Sequence, residues 1–214
     1  AESGGTYATA SYTNVLDAGW NQFTTCLHGG FSGMDITERE PFNNTRALSS
    51  DKNATNSYAF NSVSVAINSI ADAERVEMNM ACMPGITNND LNRRLADVCE
   101  DRGDALAILD LQGGYTPDTE DSSSQSSRLG SVDSTVDNLK DTLKLNNSYA
   151  CAYYPWVQIR DTISGGSLWA PPSVVALGAI SYGQATSQLW FAPAGFTRGG
   201  LSANNAAGIP VINV

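Results

Sequence analysis

Asp110 is the residue best placed in this sequence to act as a catalytic carboxylate. It ends the continuous apolar run from Ala105 to Leu109, which is typical of a strand buried on both faces of a sheet. Ligands of α/β proteins bind beyond the carboxyl ends of such strands. The competing interpretation, which we favour, is that the Asp110 side chain caps the turn that follows it.

The usual motifs of nucleotide binding and of hydrolase chemistry are absent. The predicted strand ends, Met83 to Gly85 and Asp110 to Gly114, are not followed by G-x-G-x-x-G, and G-x-x-x-x-G-K-[ST] does not occur. The nucleophile turn G-x-S-x-G does not occur either. The single histidine, His28, lies among turn glycines without an evident partner, so we interpret it as a loop residue. We therefore predict no catalytic residues.

Metal and cofactor sites are not predicted. Asp118, Glu120 and Asp121 lack the alternating pattern of a calcium-binding loop. A zinc site needs clustered cysteine and histidine, and the cysteines form no C-x-x-C pair. We interpret them as small buried hydrophobic residues in a reducing compartment. They are Cys26, Cys82, Cys99 and Cys151.

Charge and hydropathy exclude several classes of partner. The chain has 214 residues, a net charge of -10 and a pI of about 4.4. An acidic surface repels nucleic acids and anionic membranes. No stretch approaches the roughly 18 apolar residues of a membrane span. We predict no nucleic-acid and no membrane partner.

The composition changes near residue 57, which divides the chain into two predicted regions. Residues 1–56 are rich in Gly, Thr, Ser and Asn, and we predict an irregular, β-rich segment with strands near Thr6–Leu16 and Phe23–Leu27. Residues 57–214 alternate between strand-like and helix-like apolar patterns. That order predicts an α/β domain with a mixed, largely parallel sheet flanked by helices.

Individual elements follow from the spacing of apolar residues. Helices are predicted from Phe60 to Ile70, from Leu91 to Val98 after a capping pair of Thr87 and Asp90, from Leu129 to Leu143, and from Pro171 to Tyr182. Strands are predicted at Glu77–Cys82, Ala105–Leu109 and Tyr149–Arg160.

Three of these segments carry a further expectation. Pro155 cannot donate a ladder hydrogen bond, so the strand that contains it should lie at an edge or be bulged. The last helix is apolar or small on all sides, so we expect burial on most sides or by a partner subunit. The polar stretch from Gln112 to Ser127 is predicted to be a mobile, solvated loop.

Three tryptophans lie in the last third of the chain: Trp156, Trp169 and Trp190. Two interpretations stay open, since aromatic residues fill protein cores and are also enriched where one protein surface buries another.

The same third resembles the tail sheath proteins of contractile-tailed bacteriophages. The matching residues follow the order of that family over roughly residues 27–210. In the last third they are Tyr153-Tyr154-Pro155-Trp156-Val157, Asp161, Pro171-Pro172-Ser173 and Leu189 to Phe196 with Arg198-Gly199. Upstream they are the glycine-rich turn Leu27 to Gly33, the central strand Glu77 to Gly85, and the acidic-Arg-Asp stretch Cys99 to Asp104.

The resemblance implies a structural protein and not an enzyme. Sheath subunits stack as helically arranged rings around a tail tube, and contraction drives the tube through the host envelope. The implied partners are other copies of the sheath protein, the tail tube protein, and the baseplate and tail terminator proteins. The implied location is the virion, with the host cytoplasm during assembly.

The sequence is shorter than the resemblance implies. It begins without Met and stops at Val214, where sheath proteins continue into a region that faces the tube. We therefore expect a fragment whose core domain, residues 57–214, is incomplete and mostly monomeric alone. Two alternatives stay open: a small α/β enzyme or ligand-binding domain, and a sheath subunit of a related contractile device such as a bacteriocin.

Overall fold

The computed structural model describes residues 40–161, 163–195, 199–201 and 211–214. The strands predicted at Thr6–Leu16 and Phe23–Leu27, and His28, lie outside these residues. Residues 40–56, the described part of the predicted N-terminal segment, form turns and no strand.

The described residues form a mixed α/β fold, which confirms the predicted class. In chain order the elements are α1 (Tyr58–Ser69), β1 (Met80–Cys82), α2 (Asn89–Arg102), β2 (Leu106–Asp110), α3 (Gln125–Arg128), α4 (Val132–Asp137), a π-helix (Asn138–Leu143), β3 (Ala150–Tyr153), β4 (Val157–Arg160), β5 (Ser167–Ala170), α5 (Pro172–Thr186) and β6 (Val211–Asn213).

One sheet is parallel and has the strand order β1-β2-β3. Its core face carries Ala107 and Leu109 of β2, which pack in one buried cluster with Leu91, Leu95 and Cys99 of α2. Successive side chains of a strand point to opposite faces. Ile108 and Asp110 therefore point to the other face, and α5 packs against β2 and β3.

Both helices of the core face have side-chain caps at their N-termini. Ser57 accepts a hydrogen bond from Phe60 N at the start of α1. At α2 the cap is Asn88, whose Oδ1 accepts from Asp90 N and Leu91 N. The predicted capping pair of Thr87 and Asp90 is therefore wrong by one residue, because Asn and Thr are both good caps and stand side by side.

The predicted strand Tyr149–Arg160 is two strands in two sheets. β3 is an edge of the parallel sheet, whereas β4 is the centre of an antiparallel sheet with the order β5-β4-β6. Pro155 lies between them, since its nitrogen cannot continue a ladder. Because the sequence is strand-like on both sides of Pro155, its composition did not indicate that the chain passes from one sheet to the other there.

The helix predicted from Leu129 to Leu143 exists only in part. It begins at Val132 as α4 and continues as the π-helix. Leu143 is buried, but Leu129, Val132 and Val136 are exposed. A π-helix has i→i+5 hydrogen bonds, so apolar residues at α-helical spacing do not stay on one face through it.

The last helix, α5, is longer than predicted and is only partly buried. The predicted end was Tyr182, whereas Gly183 lies inside the helix, where a side chain would meet Pro193. Val175, Ala176 and Ala179 are buried, whereas Val174 is exposed. One face of the helix is therefore buried within the described residues, and burial of the rest by a partner subunit stays a prediction.

Candidate functional site

Asp110 lies buried at the carboxyl end of β2 and holds two other segments. Its Oδ1 accepts from Ser173 N at 2.9 Å, and its Oδ2 accepts from Ser173 Oγ at 2.7 Å and from Gly85 N at 2.9 Å. The prediction that Asp110 caps its own following turn is wrong. It caps the first turn of α5, because Pro171 at the N-cap position has no side-chain acceptor.

The protonated form of Asp110 is more favoured in the folded protein than it would be for an aspartate exposed to water. Burial raises the pKa of Asp110, and the hydrogen bonds from Ser173 and Gly85 offset only part of that effect. The side chain is 1% exposed, so the carboxyl oxygens face protein donors. Through these contacts Asp110 connects β2 to the turn after β1 and to the start of α5.

A polar cleft of about 450 Å³ lies beyond the carboxyl end of β2. The chain leaves β2 at Leu111 and returns past the cleft at Gly130, whose N–H donates to Gly114 O. A Cβ at Gly130 would overlap the carbonyl oxygens of Gly113 and Gly114. Only glycine permits this approach, which closes the loop at its two ends.

The loop between these ends is anchored more firmly than its composition indicates. The Glu120 carboxylate accepts from Asn44 N at 2.8 Å and Thr45 N at 3.0 Å. Arg128 donates to the hydroxyl of Tyr115 at 2.9 Å and lies over its ring. The predicted solvated loop thus contains α3 and long-range hydrogen bonds, and its mobility stays a prediction.

We expect Gly130→Ala to open this loop. The added methyl group would overlap the backbone of Gly113 and Gly114, so the chain there must move apart. Limited proteolysis should then cut residues 115–128 at least several-fold faster, in proportion to the open fraction. Gly166→Ala is the matched control, because a Cβ there would meet only the flexible Ser164 hydroxyl. Equal cleavage of both variants would contradict the expectation.

The acidic residues of the loop do not converge on a metal site. Glu120 binds the backbone of residues 44 and 45, and Asp121 accepts from Ser123 N and Oγ. The hydrogen bonds from Ser123 lower the pKa of Asp121. Within the described ranges, no group of three or more His, Cys, Asp or Glu side chains could hold a metal ion.

The described cysteines are free thiols. Cys99 is buried in the core, whereas Cys82 and Cys151 are half-buried on either side of Ile108. Burial raises the pKa of all three thiols, which lowers their thiolate fraction and hence their reactivity.

The two interpretations of the tryptophans divide by residue. Trp156 is buried, and its ring lies beside Gly85 and Gly114 at the ends of β1 and β2. Tyr115 contacts both Trp156 and Trp169, with ring centroids 5.5 and 5.0 Å apart. Trp190 is 77% exposed and contacts Phe191. Trp156 is thus a core residue, whereas Trp190 is exposed and its place in an interface stays a prediction.

Comparison of the sequence with models of protein families gave no match, and comparison with curated protein sequences gave none either. The described part of the chain holds no helix with the length and apolar content needed to cross a membrane.

The structure also has an apolar cleft of about 270 Å³. One of its lining residues, Pro193, follows Trp190 by three positions in the sequence. The cleft is formed by α5, the connection between β3 and β4, and the segment after α5. The described residues that line it have no charged side chain, and they include Tyr153, Tyr154, Val175, Ala179 and Pro193. We call Leu189, Trp190 and Phe191 the aromatic knob, because the first two are 78% and 77% exposed.

Sequence reasoning missed Ser173, Glu120 and Gly130 as residues that shape these sites. A signal existed for Ser173, since Pro171-Pro172 begins a helix without a capping side chain and requires an acceptor from elsewhere. None existed for Glu120, whose partners lie 76 and 75 residues away.

Proposed function

We propose that the chain is a structural subunit of the contractile tail sheath of a bacteriophage. It polymerises helically around the tail tube, and contraction drives the tube through the host envelope. Its partners are further copies of itself, the tail tube protein, and the baseplate and tail terminator proteins.

The observation that carries the proposal is the aromatic knob. Leu189 and Trp190 belong to the run that resembles sheath proteins, and both are largely exposed. Fully burying one large apolar side chain stabilises a protein by about 1.5–3 kcal/mol. Monomeric proteins rarely leave adjacent large apolar residues uncovered, whereas interfaces concentrate them.

The use of Asp110 is consistent with a structural role. The side chain that was the candidate for a catalytic carboxylate fastens three segments and is almost fully buried. A group in that position maintains the fold around the start of α5. The polar cleft beyond β2 is the observation that favours the ligand-binding alternative.

The test is to locate the protein in particles. Antibodies raised against the chain should label purified contractile particles along the outside of the tail, and the label should shorten with the sheath on contraction. Labelled tails that carry a DNA-filled head support a phage, and headless labelled tails support a bacteriocin-like device. Labelling of heads, or of no particle, would contradict the proposal.

A further inference from the structure

The polar cleft beyond β2 has the position and size of a ligand site. It lies outside the carboxyl end of the central parallel strand, where α/β proteins bind ligands. Its volume of about 450 Å³ lies within the range of small-molecule sites. The start of α2 and the closed loop after β2 form its walls.

Thr87 is a buried residue of the cleft whose hydroxyl is not used in the fold. It is 9% exposed, and its N–H donates to Asn44 Oδ1. Among the residues that the structure describes, its hydroxyl has no hydrogen-bond partner, although the oxygen is not enclosed by protein. The hydroxyl therefore reaches the cleft without a protein partner, and it can donate to or accept from a bound group.

Other uncommitted polar groups face the same space. The hydroxyls of Thr45 and Ser50 line the cleft and have no partner within the described ranges. Gln112 uses its Oε1 to accept from Asn138 and Asn89, which leaves its amide hydrogens unused. Leu111 and Leu129 add apolar surface to the lining. Hydroxyls both donate and accept, so they match ligand hydroxyls.

The charges of the cleft favour a neutral ligand. Of the described lining residues, Arg128 is the one cation and Glu120 the one anion. Arg128 already donates to Tyr115 Oη and Ser123 O, and Glu120 already accepts two backbone N–H groups. The partners of Arg128 are neutral, so its positive charge and the negative charge of Glu120 balance, and the described lining has no net charge that would select an anion or a cation.

We infer that this cleft binds a small neutral ligand of the sugar or polyol class, with Thr87, Ser50 and Gln112 contacting its hydroxyls. The apolar side chains Leu111 and Leu129 contact its C–H groups. This binding does not depend on the proposed sheath function, since it uses a different surface from the aromatic knob.

The test is a titration of the isotope-labelled 214-residue chain, followed by its assigned amide NMR spectrum. Glucose, galactose, N-acetylglucosamine, their disaccharides and sorbitol are the neutral probes. Glucuronate and glucose 6-phosphate are the matched anionic probes. We expect at least one neutral probe to give saturable shifts at residues 87 and 112–114 below about 10 mM.

Variants then separate binding from folding. Thr87→Val keeps the side-chain shape and removes the hydroxyl, so it should weaken binding about tenfold without changing the fold. Thr142→Val is the control, because Thr142 is exposed and lies outside the cleft. Shifts elsewhere, binding of the anionic probes alone, binding that Thr87→Val leaves intact, or no binding by any probe would overturn the inference.

Discussion

Replacing Asp110 by asparagine is expected to lower the free energy of unfolding by about 3 kcal/mol. The two side chains have nearly the same shape, but the carboxyl accepts three hydrogen bonds from Gly85 and Ser173. An amide places a donor where one oxygen accepted, so at least one buried N–H group loses its acceptor. Urea denaturation measures the loss.

The control for this variant is Asp97→Asn, because Asp97 is an exposed residue in the middle of α2. It should change the free energy of unfolding by less than about 0.5 kcal/mol. A loss at Asp110 no larger than that would mean that the carboxyl does not fasten α5.

The penalty of Asp110→Asn should also depend on pH. Burial raises the pKa of Asp110 in the folded state above its unfolded value, which is about 3.9. Its contribution to stability is then fully present below the unfolded value and is lost as pH rises through the folded value. Ser173 Oγ can accept from the protonated carboxyl, so the fastening survives protonation.

The difference in stability between the native protein and Asp110→Asn should therefore shrink as pH rises from below about 4 towards 7. Asparagine does not titrate, so the comparison isolates Asp110 from other acidic residues. A difference that grows with pH would show that the hydrogen bonds from Ser173 and Gly85 outweigh burial.

The second large effect is expected at Trp156, in contrast to Trp190. Trp156→Ala should lower the free energy of unfolding by about 3–5 kcal/mol, because it empties a buried site between the ends of β1 and β2. Trp190→Ala should change it by less than about 0.5 kcal/mol, because the side chain is 77% exposed. Chemical denaturation of the two variants measures both.

These two variants carry the same chemical change, so each controls the other. If Trp190→Ala is as destabilising as Trp156→Ala, the aromatic knob belongs to the core, and the main support for an interface is lost. If neither is destabilising, Trp156 does not join the two strand ends.

Local periodicity was enough to predict most of the parallel sheet and its core helices. The spacing of Leu91 and Leu95 predicts α2, and the apolar run before Asp110 predicts β2, because each pattern lies within one element. The boundaries were less predictable. Asn88 and Thr87 are alternative caps in adjacent positions, and only the backbone conformation selects between them.

The site residues depend on contacts that sequence spacing does not encode. Ser173 meets Asp110 across 63 residues, and Glu120 meets Asn44 across 76. Neither pair leaves a periodic signal, and each forms only when separate elements pack. The composition of residues 112–127 therefore predicted a solvated loop, whereas the structure anchors it at Glu120 and Gly130.

The most direct test of the sheath proposal is electron microscopy of the complete gene product, expressed together with a tail tube protein from the same genome. A helical array needs heterologous contacts, in which one patch meets a different patch on the neighbour. We predict regular hollow sheaths around tubes, with Trp190 buried between subunits. Trp190→Ala should reduce their number without unfolding the protein. A product that stays monomeric at every salt concentration, or closes into a stable dimer, would contradict the account.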